Sequence, residues 1–162
     1  VNFKPQELCN LAWAFAKRSV AELELCDAVS RQVADRLEAL NPQNLSNIVW
    51  ALATECVDTV EILPGIAEHA LAKLAEFKPQ ELSNTAWAFA SLGQCAEGRA
   101  ATFLTAATRT FCESWESFDA DSLPKECLTK QALDALAMIW ALEFAGRLEE
   151  RPVVAARLAL GR

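Results

Sequence analysis

The groups in this sequence that could do chemistry are amides, indoles and a few cations. Gln6, Asn10, Trp13 and Lys17 recur as Gln43, Asn47, Trp50 and Thr54, and again as Gln80, Asn84, Trp87 and Ser91. A primary amide both donates and accepts hydrogen bonds, and an indole offers a stacking plane, so such a stripe could line a ligand-facing groove. It could equally be a ladder between neighbouring segments, with Asn and Gln satisfying nearby backbone and Trp filling the seam. Identical residues at every step cannot discriminate different bases, so the recurring Gln, Asn and Trp are read as structural. Positions that vary are better candidates for contacts to RNA or a partner: Lys17/Thr54/Ser91 on the stripe, and Glu7/Asn44/Glu81 and Leu11/Ile48/Thr85 beside it. Arg36 and Lys73 are 37 residues apart, with Arg109 one residue short of the next step. With Lys4 and Lys78 these cations form a second candidate row that could touch phosphates, against the plainer reading of a solvated face.

Catalysis finds little to work with. The single histidine, His69, lies in an apolar segment, and no Gly-rich phosphate loop, HExxH motif or nucleophile elbow occurs. Glu149 and Glu150 are adjacent and point apart on a helix. Six cysteines, at 9, 26, 56, 95, 112 and 127, form no CxxC pair and no zinc pattern. They are expected to be reduced and mostly buried, which implies a reducing compartment. The expectation is no catalytic residue, no metal and no cofactor.

The elements that must position the stripe follow from internal repetition. FKPQELCNLAWAFA from Phe3, LNPQNLSNIVWALA from Leu40 and FKPQELSNTAWAFA from Phe77 align without gaps at a step of 37 residues. Each places Pro5, Pro42 or Pro79 where a first helical residue needs no N–H. Lys4, Asn41 and Lys78 then fall at the N-cap, where Asn is good and Lys poor. Phe3, Leu40 and Phe77 stand at hydrophobic-staple spacing from Leu8, Leu45 and Leu82. Between the matched segments, Val29, Val33 and Leu37 correspond to Ile66, Ala70 and Leu74 and to Phe103, Ala107 and Phe111, an i, i+4, i+8 helical stripe. Pro64-Gly65 should shorten or kink the second of these helices at its start.

The spacing predicts first helices over 5–17, 42–54, 79–92 and 131–145, and second helices over 22–39, 59–76 and 97–115. Phe118 to Leu123 echoes Phe77 to Leu82, and Trp140-Ala141-Leu142 echoes Trp87-Ala88-Phe89, with an irregular insertion expected over 113–130. Val153 to Leu160 resembles the start of another second helix. The fold class is therefore all-α: a single α-solenoid domain over 1–162, with repeats at about 3–39, 40–76 and 77–117 and a degenerate one at 118–162. On the first helix at 100° per residue, Leu8, Leu11 and Phe15 should face the second helix, and Cys9, Ala12 and Ala16 the next repeat. Trp50, in the central repeat, should be largely buried, and Trp140 less so.

The chain is 52% hydrophobic and carries a net charge of −7, enough apolar content for a core and the wrong sign for bulk attraction to nucleic acid or anionic membranes. No apolar run approaches the roughly 20 residues of a membrane span. The chain opens within the first repeat, at Val1-Asn2-Phe3, which fits a processed mature protein, its transit peptide removed, or a piece of a longer array.

The FKPQELxNxAWAFA unit, with Gln6, Leu8, Asn10 and Trp13 and their equivalents, resembles the octotricopeptide and heptatricopeptide repeats of algae, dinoflagellates and apicomplexans. The resemblance covers residues 3–112 well and the remainder weakly. It implies an α-solenoid in a chloroplast or mitochondrion that binds single-stranded RNA in its processing, stability or translation, about one nucleotide per repeat. Charge and length favour a different use of the same fold, as a non-catalytic scaffold in an organellar assembly with protein partners. That is the expectation adopted, with RNA binding the alternative; neither DNA nor a membrane-spanning segment is expected.

Overall fold

A computed structural model of the chain describes residues 3–18, 23–55, 61–94, 96–119 and 124–160. Among these the regular structure is helical throughout, eight α-helices without a strand. In chain order they are α1 (Pro5–Lys17), α2 (Leu23–Ala34), α3 (Pro42–Thr54), α4 (Leu63–Ala72), α5 (Pro79–Ser91), α6 (Gly98–Glu116), α7 (Lys125–Phe144) and α8 (Glu150–Leu160). None of the described helices is long and apolar enough to cross a membrane.

Helices α1, α3 and α5 each begin at the expected proline, but cap themselves in two ways. Asn41 Oδ1 accepts the Asn44 N–H at 2.9 Å, an ordinary N-cap. Lys4 and Lys78 have no side-chain acceptor to offer. There the third helical residue reaches back instead: Glu7 and Glu81 accept the N–H of Lys4 and Lys78 at 2.8 and 2.9 Å. The variation at Glu7/Asn44/Glu81 thus compensates the variation at Lys4/Asn41/Lys78 and belongs to helix initiation.

The second helices differ from expectation at their C-terminal ends. They stop at Ala34 and Ala72, and 3-10 turns follow over Leu37–Ala39 and Leu74–Glu76. The tighter winding keeps Leu37 and Leu74 against the core while delivering the chain to Leu40 and Phe77, both buried. At the other end α4 begins at Leu63, with Pro64 in its first turn, as the Pro-Gly pair required. The expected starts at residues 22 and 59 lie outside the described residues. The irregular stretch expected over 113–130 is much shorter. α6 runs on to Glu116 because Phe111 and Trp115 are buried, with Trp115 packed on Phe118 at 4.9 Å. α7 starts directly after Pro124, well before the expected residue 131.

The helices form two layers. α1 packs on α3, α3 on α5 and α5 on α7; across from them α4 packs on α6 and α6 on α8. Between the layers lie Leu45, Ile48 and Leu52 of α3 and Leu82 and Phe89 of α5, all buried. Phe103 of α6 meets Phe89 at 5.6 Å and Phe77 at 5.9 Å, joining the layers through an aromatic cluster. The small-residue flank is buried too, as Cys9 and Ala16, then Ser46 and Ala53, then Ser83 and Ala90.

One core position is mismatched. Thr85 replaces Leu11 and Ile48 of the earlier segments, and its hydroxyl is buried without a hydrogen-bond partner. An unpaired buried hydroxyl is destabilising, and valine has nearly the same shape. Thr85→Val is therefore expected to raise stability by about 1–2 kcal/mol, read from urea unfolding; a decrease would show that the hydroxyl is bonded in solution.

Candidate functional site

The indole row lies on the face of the α1–α3–α5–α7 layer that points away from the other layer. Trp50 and Trp87 are half-buried, with ring centroids 6.3 Å apart and planes tilted by 36°. Trp50 is thus less buried than its central place in the chain suggested. At the two ends Trp13 is 39% and Trp140 54% exposed. Trp50, Asn84, Trp87, Leu136, Ile139, Trp140, Glu143 and Leu148 line a groove of about 640 Å³, in the size range of ligand and peptide pockets.

In α7 the stripe changes character. With Trp140 matched to Trp87, the places of Gln80, Asn84 and Ser91 are taken by Leu133, Ala137 and Phe144. Leu133 is 61%, Leu136 61% and Phe144 58% exposed, and Phe144 stacks on Trp140 at 5.6 Å. Four large apolar side chains on one stretch of helix make a patch of the kind that marks interaction sites. Sequence reasoning missed it because α7 is apolar on several faces, so its pattern reads as a core helix.

The hydrogen-bond ladder expected of the stripe amides is not formed. Among the described residues no side-chain hydrogen bond joins Asn47 or Asn84 to a neighbouring helix; on this face the indoles of Trp50 and Trp87 meet instead. Gln6, Gln43 and Gln80 are exposed at the helix starts, as is Asn10 in α1. Lys17 folds over its own Trp13, with Nζ 5.0 Å from the ring centroid. Thr54 donates to the Trp50 carbonyl at 2.9 Å, and Ser91 is half-buried. Lys4 and Lys78 are exposed.

Arg36 and Lys73 have a different task. Arg36 Nη1 donates to the Phe3 carbonyl at 2.6 Å, and Lys73 Nζ donates to the Leu40 carbonyl and, at 3.0 Å, to that of Glu38. Both bonds span 33 residues and tie the segment just after a second helix to the residue that precedes the N-cap of a first helix. In the third segment that place is Thr110. Arg109, one residue earlier, instead lines a separate cleft with Thr105 and Arg147, whose guanidinium donates to Thr105 Oγ1 at 2.6 Å. Beside it Arg151 grips Glu116 at 2.9 and 3.2 Å, and that hydrogen bond holds the Glu116 carboxyl below its usual range.

His69 Nδ1 lies 2.9 Å from the Gly65 carbonyl of its own helix. No group of three or more metal-binding side chains occurs among the described residues. Cys9 and Cys112 are buried free thiols, as expected, while Cys127 is free and exposed. Burial pushes the Cys9 thiol up to about 12. Cys56 and Cys95 lie outside the described residues, as does the side chain of Cys26. No protein-family model, curated protein or solved structure matches the chain.

Two predictions follow from these contacts. Lys73→Met, which keeps the aliphatic stem but removes the donor, should cost about 1–2 kcal/mol in urea unfolding, whereas Lys17→Met should change stability by less than about 0.5 kcal/mol. Equal effects would mean that Lys73 is not tied to the Leu40 carbonyl. In native protein at neutral pH, iodoacetamide should alkylate Cys127 and spare Cys9. Rapid modification of Cys9 would show that α1 opens from the layer.

Proposed function

We propose that this chain is a non-catalytic helical-repeat module, an α-solenoid stacked at a 37-residue step over residues 1–162, that serves as a protein-binding scaffold in an organellar assembly. The observation that carries the reading is the groove between Trp50, Trp87 and Trp140, whose lining residues include exposed apolar side chains and a carboxylate but no cation. A nucleic-acid backbone needs Lys or Arg along its path, and a protein segment does not. Arg36 and Lys73, two candidate phosphate contacts, direct their donors at backbone carbonyls. The net charge of −7 adds repulsion. Absence of catalysis is supported by the one imidazole, which faces its own helix backbone. Placement in a chloroplast or mitochondrion rests on the resemblance of the PQ-L-N-xx-WA-A unit.

A second reading, single-stranded RNA binding, is favoured by one observation. Lys17 and Trp13 combine a cation with a stacking plane on an exposed stripe, and Lys4 and Lys78 lie exposed at the starts of α1 and α5. The two readings separate in one experiment: affinity capture of the tagged full chain from chloroplast and mitochondrial extracts, with and without ribonuclease. A scaffold retains a defined set of proteins after ribonuclease and loses it in Trp140→Glu. Partners lost on ribonuclease treatment, with ultraviolet crosslinks to RNA at Trp13, would replace the scaffold reading with the RNA one.

A further inference from the structure

We propose that the Trp50–Trp87–Trp140 groove receives the basic side chain, Arg or Lys, of an amphipathic helical segment in a partner protein. The inference rests on the protein-scaffold reading and names the chemistry of the partner. Three indoles contribute to one groove, and an indole face is the best aromatic seat for a cation. The stripe already uses its indoles this way once, where Lys17 lies over Trp13 at 5.0 Å. The matching places beside the other three indoles hold Thr54, Ser91 and Phe144. Thr54 is turned to the Trp50 carbonyl, and none of the three can supply charge. The indoles of the groove therefore lack the cation that the first indole has.

The charge around them has the complementary sign. Glu143 lines the groove, is exposed and makes no ion pair among the described residues. Arg147, just beyond the C-terminal end of α7, turns its guanidinium toward Thr105 instead. Asn84, also in the lining, offers an amide oxygen to a second N–H of the incoming group. A cation desolvated against indoles with a carboxylate beside it is held far better than a neutral group of the same size. Around this point Leu133, Leu136, Trp140 and Phe144 stand exposed on α7 and give an apolar seat. A helix presenting Leu-type residues at i, i+3 and i+7 with one Arg among them matches both features. A phosphate-bearing ligand meets Glu143 and no counter-charge.

The test uses the full chain and three synthetic amphipathic helices of Leu, Ala and Gln that differ at one central position: Arg, citrulline or Glu. Binding is read from indole N–H shifts and tryptophan fluorescence. The Arg helix is expected to bind roughly tenfold more tightly than the citrulline helix, and the Glu helix more weakly still. Glu143→Gln should weaken the Arg helix and leave the citrulline helix unchanged. Trp140→Leu keeps apolar bulk at an exposed place and should narrow the Arg-to-citrulline ratio, while Trp13→Leu, outside the groove, leaves it intact. The comparison between peptides needs no protein variant, so it stands even where a substitution perturbs folding. Equal affinity for Arg and citrulline helices overturns the proposal while leaving an apolar protein-binding groove. Binding of none of the three helices overturns it as well. If, in addition, a short uridine oligonucleotide moves the Trp50 and Trp87 indoles, the scaffold reading fails too.

Discussion

Close approach along small side chains is the constraint on which the rest depends. Each of α1, α3 and α5 turns a flank of Cys, Ser or Ala toward the next helix of the layer, as in Cys9 and Ala16, Ser46 and Ala53, Ser83 and Ala90, and all six are buried. A bulky residue there would push the helices apart, since interiors are packed to near-crystalline density. With the helices held close, the larger residues go elsewhere. Leu45, Ile48, Leu52 and Phe89 fill the space between the layers, and the indoles line the opposite face. Trp50 and Trp87 come within 6.3 Å because their helices do. The indole row is therefore a consequence of the seam.

The cations at the ends of the second helices serve the same geometry. A helix ending in a 3-10 turn leaves carbonyls without intrahelical partners, and the residue before the N-cap of a first helix adds another. Arg36 and Lys73 reach across 33 residues to satisfy such carbonyls. A long cationic side chain can do this with its charged head partly in water, so the bond costs less desolvation than one from a buried donor. Arg109 shows what happens when the register slips by one residue. On a helix that is a rotation of about 100°, enough to turn the side chain from the seam to a different cleft.

Much of the fold was legible in the residues because its signals are local. Pro5, Pro42 and Pro79 mark three helix starts, and the i, i+4, i+8 stripe marks the second helices. The 3-10 breaks after Ala34 and Ala72 were not legible: Leu37 and Leu74 continue the apolar spacing, and only the path to Leu40 and Phe77 forces the tighter winding. The early start of α7 was hidden for a related reason, since no close match to the Pro-Gln unit precedes it and Pro124 reads equally as loop or helix start. At the site, the indoles were visible as a row. Their partial exposure was not, because periodicity locates a face without saying what covers it. The roles of Glu7, Asn44 and Glu81 were obscured by treating variation as selectivity. Each varies together with the residue three positions earlier, and that pairing was the signal of a cap.

The apolar turn of the stripe in α7 decides where binding would concentrate. In α3 and α5 the outward face carries Gln and Asn beside each indole, groups that water already satisfies, so covering them gains little. In α7 the same face carries Leu133, Ala137, Trp140 and Phe144. Covering such groups is favourable by about 25 cal/mol per Å² of apolar surface. A polar stripe running into an apolar one gives direction as well as affinity, since a partner seated on α7 meets Trp87 and Trp50 at its far edge. Glu143, on α7 beside Trp140, makes the choice of partner electrostatic, because a charge beside a partly desolvated aromatic wall discriminates more strongly than the same charge in open water. On an acidic chain it turns away anionic ligands and leaves the indole faces to a cation.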